Sequence, residues 1–103
     1  MRLVLTTCPV NKTQMLINII LKLKLAACAS KIRINSKFWW KGKIDEEKEC
    51  LIIFKTRKEL SKKLFEKIKE IHPYVVPEII EIKVEKVNDK YLEWLRGWQP
   101  NKI

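Results

Sequence analysis

Between Lys31 and Lys55 lie two strand-like runs joined at the one glycine of that stretch, Gly42. Along the first run Ile32, Ile34, Phe38 and Trp40 occupy even positions, while Lys31, Arg33, Asn35 and Lys37 occupy odd ones. That is the period of a strand with one face turned inward. The second run, Glu49 to Lys55, carries the continuous apolar stretch Cys50-Leu51-Ile52-Ile53-Phe54, and Lys41-Gly42-Lys43 supplies the turn between the two. Arms of about 12 residues at about 3.3 Å each reach roughly 40 Å. A compact chain of this length has a radius of gyration near ~13 Å and a diameter of about 33 Å, so the hairpin overhangs its own domain. Trp39 falls on the face of Arg33 and Lys37, and the second arm is apolar on both faces. Exposed strand edges and indoles of this kind invite a second copy of the chain. The alternative is a bulge near Trp39 that turns both indoles inward.

The flanking segments fit one fold. Leu3-Val4-Leu5-Thr6-Thr7 reads as a buried first strand that stops at Pro9. Asn11, with Gln14 three residues on, resembles a capping box. Gln14, Asn18 and Lys22 then form a narrow polar stripe beside Leu16, Ile17, Ile20, Leu21 and Leu23, which predicts a helix buried on most of its circumference. Small residues follow at Ala26-Ala27-Cys28-Ala29, suited to close approach of helix and strand. Thr56 and Glu59 match a second capping box, and Leu60, Leu64, Ile68 and Ile71 keep helical spacing up to His72-Pro73. After Pro77, Ile80, Ile82 and Val84 alternate with charged residues, which predicts a strand buried on one face. Asn88-Asp89 caps a last helix carrying Tyr91, Leu92, Trp94, Leu95 and Trp98. The expected fold is α+β: one ferredoxin-like domain over residues 1–103, β-α-β-β-α-β, with an antiparallel sheet, helices on one face and an extra C-terminal helix.

Charge and motifs exclude several functions. The 22 basic residues outnumber the 12 acidic ones for a net charge of +10, but 18 are lysines scattered through every segment, as on a solvated surface. RNA-recognition motifs share the strand order, yet their third strand carries K/R-G-F/Y-G/A-F-V-x-F/Y, and Glu49 to Lys55 does not match it. The alternative of a basic nucleic-acid-binding module is therefore the weaker one. The apolar stretch Met15–Ala29 is broken by Asn18, Lys22 and Lys24, which argues against a membrane span. The apolar run after Met1-Arg2 is too short for a secretory signal, and the cytoplasm is the expected compartment. Cys8, Cys28 and Cys50 stand far apart with no Cys-x-x-Cys, as expected of reduced thiols. With a single histidine and no Gly-x-Ser-x-Gly, His-Glu-x-x-His or P-loop pattern, no enzyme is expected.

Five blocks in order give the chain a closer likeness: Leu25-Ala26-Ala27-Cys28-Ala29, Trp39-Trp40-Lys41-Gly42-Lys43, Lys55-Thr56-Arg57, His72-Pro73-Tyr74 with Val76-Pro77-Glu78-Ile79, and Tyr91-Leu92-x-Trp94-Leu95. On these the chain resembles the CutA family of divalent-cation tolerance proteins over essentially its full length. The resemblance implies a homotrimer of ferredoxin-like protomers, linked to copper tolerance and to binding of divalent cations such as copper, without an established reaction. It also implies a metal site made by a cysteine at the end of the first strand and two histidines before the Pro-Tyr. Here those positions hold Thr6, Ile71 and His72. Cys8 shares a strand face with Thr6, which makes Cys8 and His72 the candidate ligands.

Other residues have competing readings. His72 before a proline at a helix end also suits a capping role. Cys28 and Cys50 suit packing as small apolar groups. Asp45, Glu46, Glu47 and Glu49 form an acidic cluster by the turn, for a hard cation or for pairing with Lys31, Arg33 or Lys37. Cys28, Trp40, Glu49, Lys55 and Tyr74 are candidates for a cleft between protomers, set against simple interface packing. A trimeric scaffold without a specific metal site is the remaining alternative.

Overall fold

The structure, a computed structural model, describes residues 1–97. The order is β1 (Arg2–Pro9), α1 (Val10–Lys22), β2 (Cys28–Trp40), β3 (Lys43–Thr56), α2 (Lys58–Ile71), β4 (Ile79–Lys83) and α3 (Asp89–Gly97). The strands form one antiparallel sheet in the order β2-β3-β1-β4, the ferredoxin-like arrangement expected from the sequence. Trp98, assigned above to the last helix, lies outside the described residues.

The sheet register assigns every strand side chain to a face. Val4 pairs with Phe54, Thr6 with Ile52 and Cys8 with Cys50, and all six side chains are buried. Val4, Cys8, Ile52 and Phe54 pack with Leu16, Ile17 and Ile20 of α1 and with Leu64 and Ile68 of α2 in a single core. By strand alternation, Leu3, Leu5, Leu51, Ile53 and the even positions of β2 point away from the helices. The expectation that Ile32, Ile34, Phe38 and Trp40 face inward is corrected here. They share the helix-free face, where Ile32 is 59% and Trp40 48% exposed. Ile80 and Ile82, which alternation placed on a buried face, are likewise exposed on that side. Alternation marks an apolar face but does not say whether the same chain covers it.

The hairpin has the expected shape. β2 and β3 pair without interruption from Cys28↔Lys55 to Trp40↔Lys43, so there is no bulge at Trp39, which stands 73% exposed across from Ile44. The loop is two residues, Lys41 (φ 52°) and Gly42 (φ 78°). Positive φ at both positions is the type I′ geometry that matches strand twist in tight hairpins. The molecule measures 46 × 27 × 21 Å, its length being that of the hairpin.

Local details depart from the sequence expectations at the helix starts. α1 begins at Val10 directly after β1, with Pro9 in the N-cap position and no side-chain cap, so Asn11 already lies in the first turn. The Thr13 hydroxyl instead donates to the Pro9 carbonyl at 3.0 Å. α2 is preceded by Arg57, again without a side-chain cap, because the Thr56 hydroxyl donates to the Leu25 carbonyl (2.8 Å) across the sheet end. α1 is buried only along Thr13, Leu16, Ile17 and Ile20, and Met15, Leu21 and Leu23 are exposed. One sheet and one neighbouring helix cannot cover more of its circumference. By contrast, Asn88 caps α3 as expected, its side-chain oxygen accepting from the Lys90 amide (3.1 Å).

α1 ends in a Schellman motif. The Leu25 amide donates to the Ile20 carbonyl (3.3 Å) and the Lys24 amide to the Leu21 carbonyl (3.0 Å), with Lys24 in the left-handed region at φ 58°. A lysine there bears a steric cost of about 1–2 kcal/mol that glycine avoids, less glycine's larger loss of freedom on folding. Lys24→Gly is expected to stabilise the chain by about 0.5–1 kcal/mol, read as a higher midpoint in guanidinium unfolding with an unchanged slope.

Candidate functional site

The end of β1, the middle of β3 and the turn after α2 bring together residues far apart in sequence. His72 follows the last residue of α2 in extended conformation, φ −67° and ψ 137°, as expected of a residue preceding proline. That turn carries its ring against the end of β1, where it is 9% exposed. Nδ1 lies 3.1 Å from the Tyr74 amide nitrogen and Nε2 lies 2.8 Å from the Thr7 carbonyl oxygen. An amide N–H can only donate and a carbonyl can only accept, so Nδ1 is the acceptor and the proton sits on Nε2. Burial pushes the His72 pKa below its ordinary value, against the opposing pull of the Thr7 carbonyl and of Glu49. The imidazole is neutral with both nitrogens committed.

Tyr74 continues the connection. Its ring lies 5.1 Å from that of His72, and its hydroxyl donates to Glu49 Oε2 at 2.8 Å. Burial, then the bond to Glu49, push the phenol well above its usual pKa, so it stays a donor. Glu49 is 5% exposed and also borders a cleft of about 130 Å³ with Val10, Arg33, Ile34, Asn35 and Lys48. The carboxylate is thus held between the sheet and the turn after α2.

The first-strand candidates are equally engaged. Thr6, fully buried, donates its hydroxyl to the Glu78 carbonyl at 2.7 Å. Cys8, also fully buried, has its sulfur 3.3 Å from Thr13 Oγ1. The single Thr13 hydroxyl proton goes to Pro9, so the thiol donates to the threonine oxygen. Burial, the largest influence, raises the Cys8 pKa, with Cys50 and Glu49 adding to it. A protonated, buried thiol is a poor ligand and a poor nucleophile.

The five candidate cleft residues separate into three places. Glu49 belongs with Tyr74 and His72. Lys55 Nζ donates to Ser30 Oγ (2.7 Å) and approaches Cys28 Sγ (3.7 Å) at the far end of the β2-β3 ladder. Trp40 stands at the hairpin tip, about 12 residues and roughly 40 Å from Lys55 along the strand. Within one chain these groups cannot line one cleft. Ser30, Thr7 and Thr13 complete the two polar clusters and were not identified from sequence. Ser30 had a signal, since it shares a strand face with Cys28, whereas Thr7 acts through its backbone and had none.

Among the described residues no three His, Cys, Asp or Glu side chains converge as a metal site. His72 offers no free lone pair, and Cys8 offers a thiol rather than a thiolate. The side chains of a single chain therefore do not fit a preassembled divalent-metal centre. What they do fit is a neutral, hydrogen-bonded connection that fixes the turn after α2 to the sheet.

That connection predicts a pH dependence. An unfolded histidine titrates near 6.5, while the buried ring of His72 resists protonation until lower pH. The unfolded state then binds more protons, so His72's contribution is complete above about pH 6.5 and declines as pH falls toward the folded-state pKa. His72→Gln, which keeps an amide N–H to face the Thr7 carbonyl, is expected to flatten the stability profile between about pH 7.5 and 5. The measurement is chemical unfolding of both proteins across that range. An unchanged profile would overturn the assignment.

Comparison with known proteins accords with this architecture. A family model for the CutA1 divalent ion tolerance protein matches residues 2–97. The divalent-cation tolerance protein CutA of Pyrococcus horikoshii is 46% identical over 96 residues, 92% of this chain and 94% of that protein. The crystal structure of Pyrococcus horikoshii CutA1 superposes with a TM-score of 0.89 at 44% identity, covering 94% of this chain and 96% of the other. A structure named as the periplasmic divalent cation tolerance protein CutA of Archaeoglobus fulgidus superposes with a TM-score of 0.88 at 32% identity, covering 94% and 97%. With its sequence matched from the first strand to the last described helix and its fold shared with these proteins, the chain belongs to the CutA1 divalent ion tolerance family.

Proposed function

We propose that this chain works as a homotrimer in the cytoplasm and contributes to divalent-cation tolerance, copper included, by binding or signalling rather than by turnover. The observation that carries the proposal is the helix-free face of the sheet. Ile32, Phe38, Trp40, Ile80 and Ile82 stand exposed on it, beside the unpaired outer edge of the 13-residue strand β2. Apolar patches and long free edges of this kind mark association surfaces. Copies packed on that face also extend a core that is small for one chain of 103 residues.

Assembly bears directly on the cation. Donors too dispersed within one chain become neighbours when a hairpin tip crosses onto the next copy, which is how Trp40 and the acidic Asp45, Glu46 and Glu47 would come near the Glu49–Tyr74 or Lys55–Cys28 groups. Cation uptake is then a property of the trimer, with oxygen and sulfur donors contributed by more than one chain. A non-catalytic role accords with the neutral state of His72, both of whose ring nitrogens are engaged by backbone groups.

Native mass spectrometry in reducing buffer, before and after one equivalent of Cu(II), tests the proposal. The expected result is a three-chain mass that retains copper. Ile32→Glu, at a position exposed in the single chain, should shift the population toward monomer, with each copy losing about 2 kcal/mol of apolar burial, and should abolish copper retention. A monomeric wild-type protein overturns the assembly. A trimer that retains no copper overturns the cation role and leaves a scaffold.

A further inference from the structure

The sequence is rich in lysine and poor in arginine, with only four arginines at positions 2, 33, 57 and 96. Three of the four meet in one place. Arg2 at the start of β1, Arg57 before α2 and Arg96 in the last turn of α3 line a cleft of about 140 Å³, together with Lys58, Lys83 and Glu59. Met1 and Val84 also line it, the Val84 amide donating to the Met1 carbonyl at 3.2 Å. Five cationic side chains thus converge with Glu59 in the lining and Glu81 beside Arg2, on a chain whose other positive charges are dispersed.

The charges are incompletely satisfied from within. Arg2 pairs with Glu81 at 3.6 Å, and Arg57 Nε has Glu59 at 3.8 Å. The latter is an ionic distance and not a hydrogen bond, and Arg57 Nε is buried with no hydrogen-bond partner. Glu59 is 72% exposed in its side chain, so solvent screens its pairing with the cluster. Among the described residues, Lys58, Lys83 and Arg96 form no ion pair. α2, 14 residues long and without a side-chain cap, directs its first-turn N–H groups toward the same region, adding the positive end of its dipole. Such a concentration of like charge in a cleft raises the local concentration of anions.

We propose that this cleft is a binding site for a small oxyanion of the phosphate class. Its volume is close to the about 150 Å³ that admits a benzene-sized guest, which suits a single phosphoryl group. Among the described residues no aromatic side chain lines it, which favours a ligand held by charge over one held by stacking. Arginine forks bind phosphate oxygens in pairs through charge-assisted hydrogen bonds, and Arg57 Nε gains the partner it lacks. An anion held there ties β1, β4, α2 and α3 together at the end of the sheet opposite the hairpin tip. The site is independent of the cation reading above.

The test is a titration of the isotopically labelled full chain, in its native assembly, with inorganic phosphate against chloride at matched ionic strength. Saturable amide shifts at Lys58 and Glu59 with phosphate alone are expected. Arg57→Gln and Arg96→Gln should each weaken the affinity at least tenfold, whereas Lys63→Gln, on an exposed part of α2, should leave it unchanged. If Arg57→Gln does not fold, Arg96→Gln decides the matter, since that side is exposed in the wild type. Identical responses to phosphate and chloride, or equal weakening by Lys63→Gln, overturn the site as general surface charge. Vesicles containing phosphatidate separate a lipid headgroup from a free ion: sedimentation with vesicles but no shift with inorganic phosphate overturns the assignment to a free ligand.

Discussion

β3 is the element on which the remaining structure depends. It pairs with β1 on one side and with β2 on the other, and it is apolar on both of its faces. Ile52 and Phe54 are fully buried under the helices, while Leu51 and Ile53 lie on the opposite face with Leu3, Leu5 and Ile32. A strand with two apolar faces cannot be satisfied by helices on one side of the sheet. The domain is therefore built with a covered face and an uncovered one, and the tendency to associate is a consequence of the core rather than an addition to it.

The polar features follow the same division. On the helix side Thr6, Thr13 and Cys8 are fully buried and each has a hydrogen-bond partner close at hand. Buried polar groups without partners cost about 1–3 kcal/mol each, so these residues have little freedom to act on a ligand. His72 is the clearest case. Its two nitrogens join the turn after α2 to the end of β1 across 65 residues of chain, and its ring supports Tyr74, which in turn holds Glu49. The only histidine of the protein is in this way a structural linchpin of the region in which a ligand would be sought.

Much of this was legible in the sequence. The strands and helices appear at the expected places because hydrophobic periods of 2 and 3.6 were strong in Ile32–Trp40 and in Leu60–Ile71. Helix starts were not legible. The capping patterns at Asn11 and Thr56 were correct as local chemistry, but the hydroxyl of Thr56 was claimed by Leu25, and β1 entered α1 so abruptly that Asn11 was already inside the helix. The direction of the β2 face failed for a related reason. Alternation identified Ile32, Ile34, Phe38 and Trp40 as one set, but the side on which the helices pack is decided by β1 and β3.

The sequence by itself determined the order of elements, the antiparallel ferredoxin-like plan, the overlong hairpin and the family, because all of these rest on periodicity and short motifs carried by neighbouring residues. The tertiary structure alone decided the partners of His72, the protonated and buried state of Cys8, the separation of Trp40 from Lys55 and the meeting of Arg2, Arg57 and Arg96. The physical reason is that a side chain's chemistry is set by which groups fill the few ångströms around it. In a sheet of order β2-β3-β1-β4 those groups come from opposite ends of the chain.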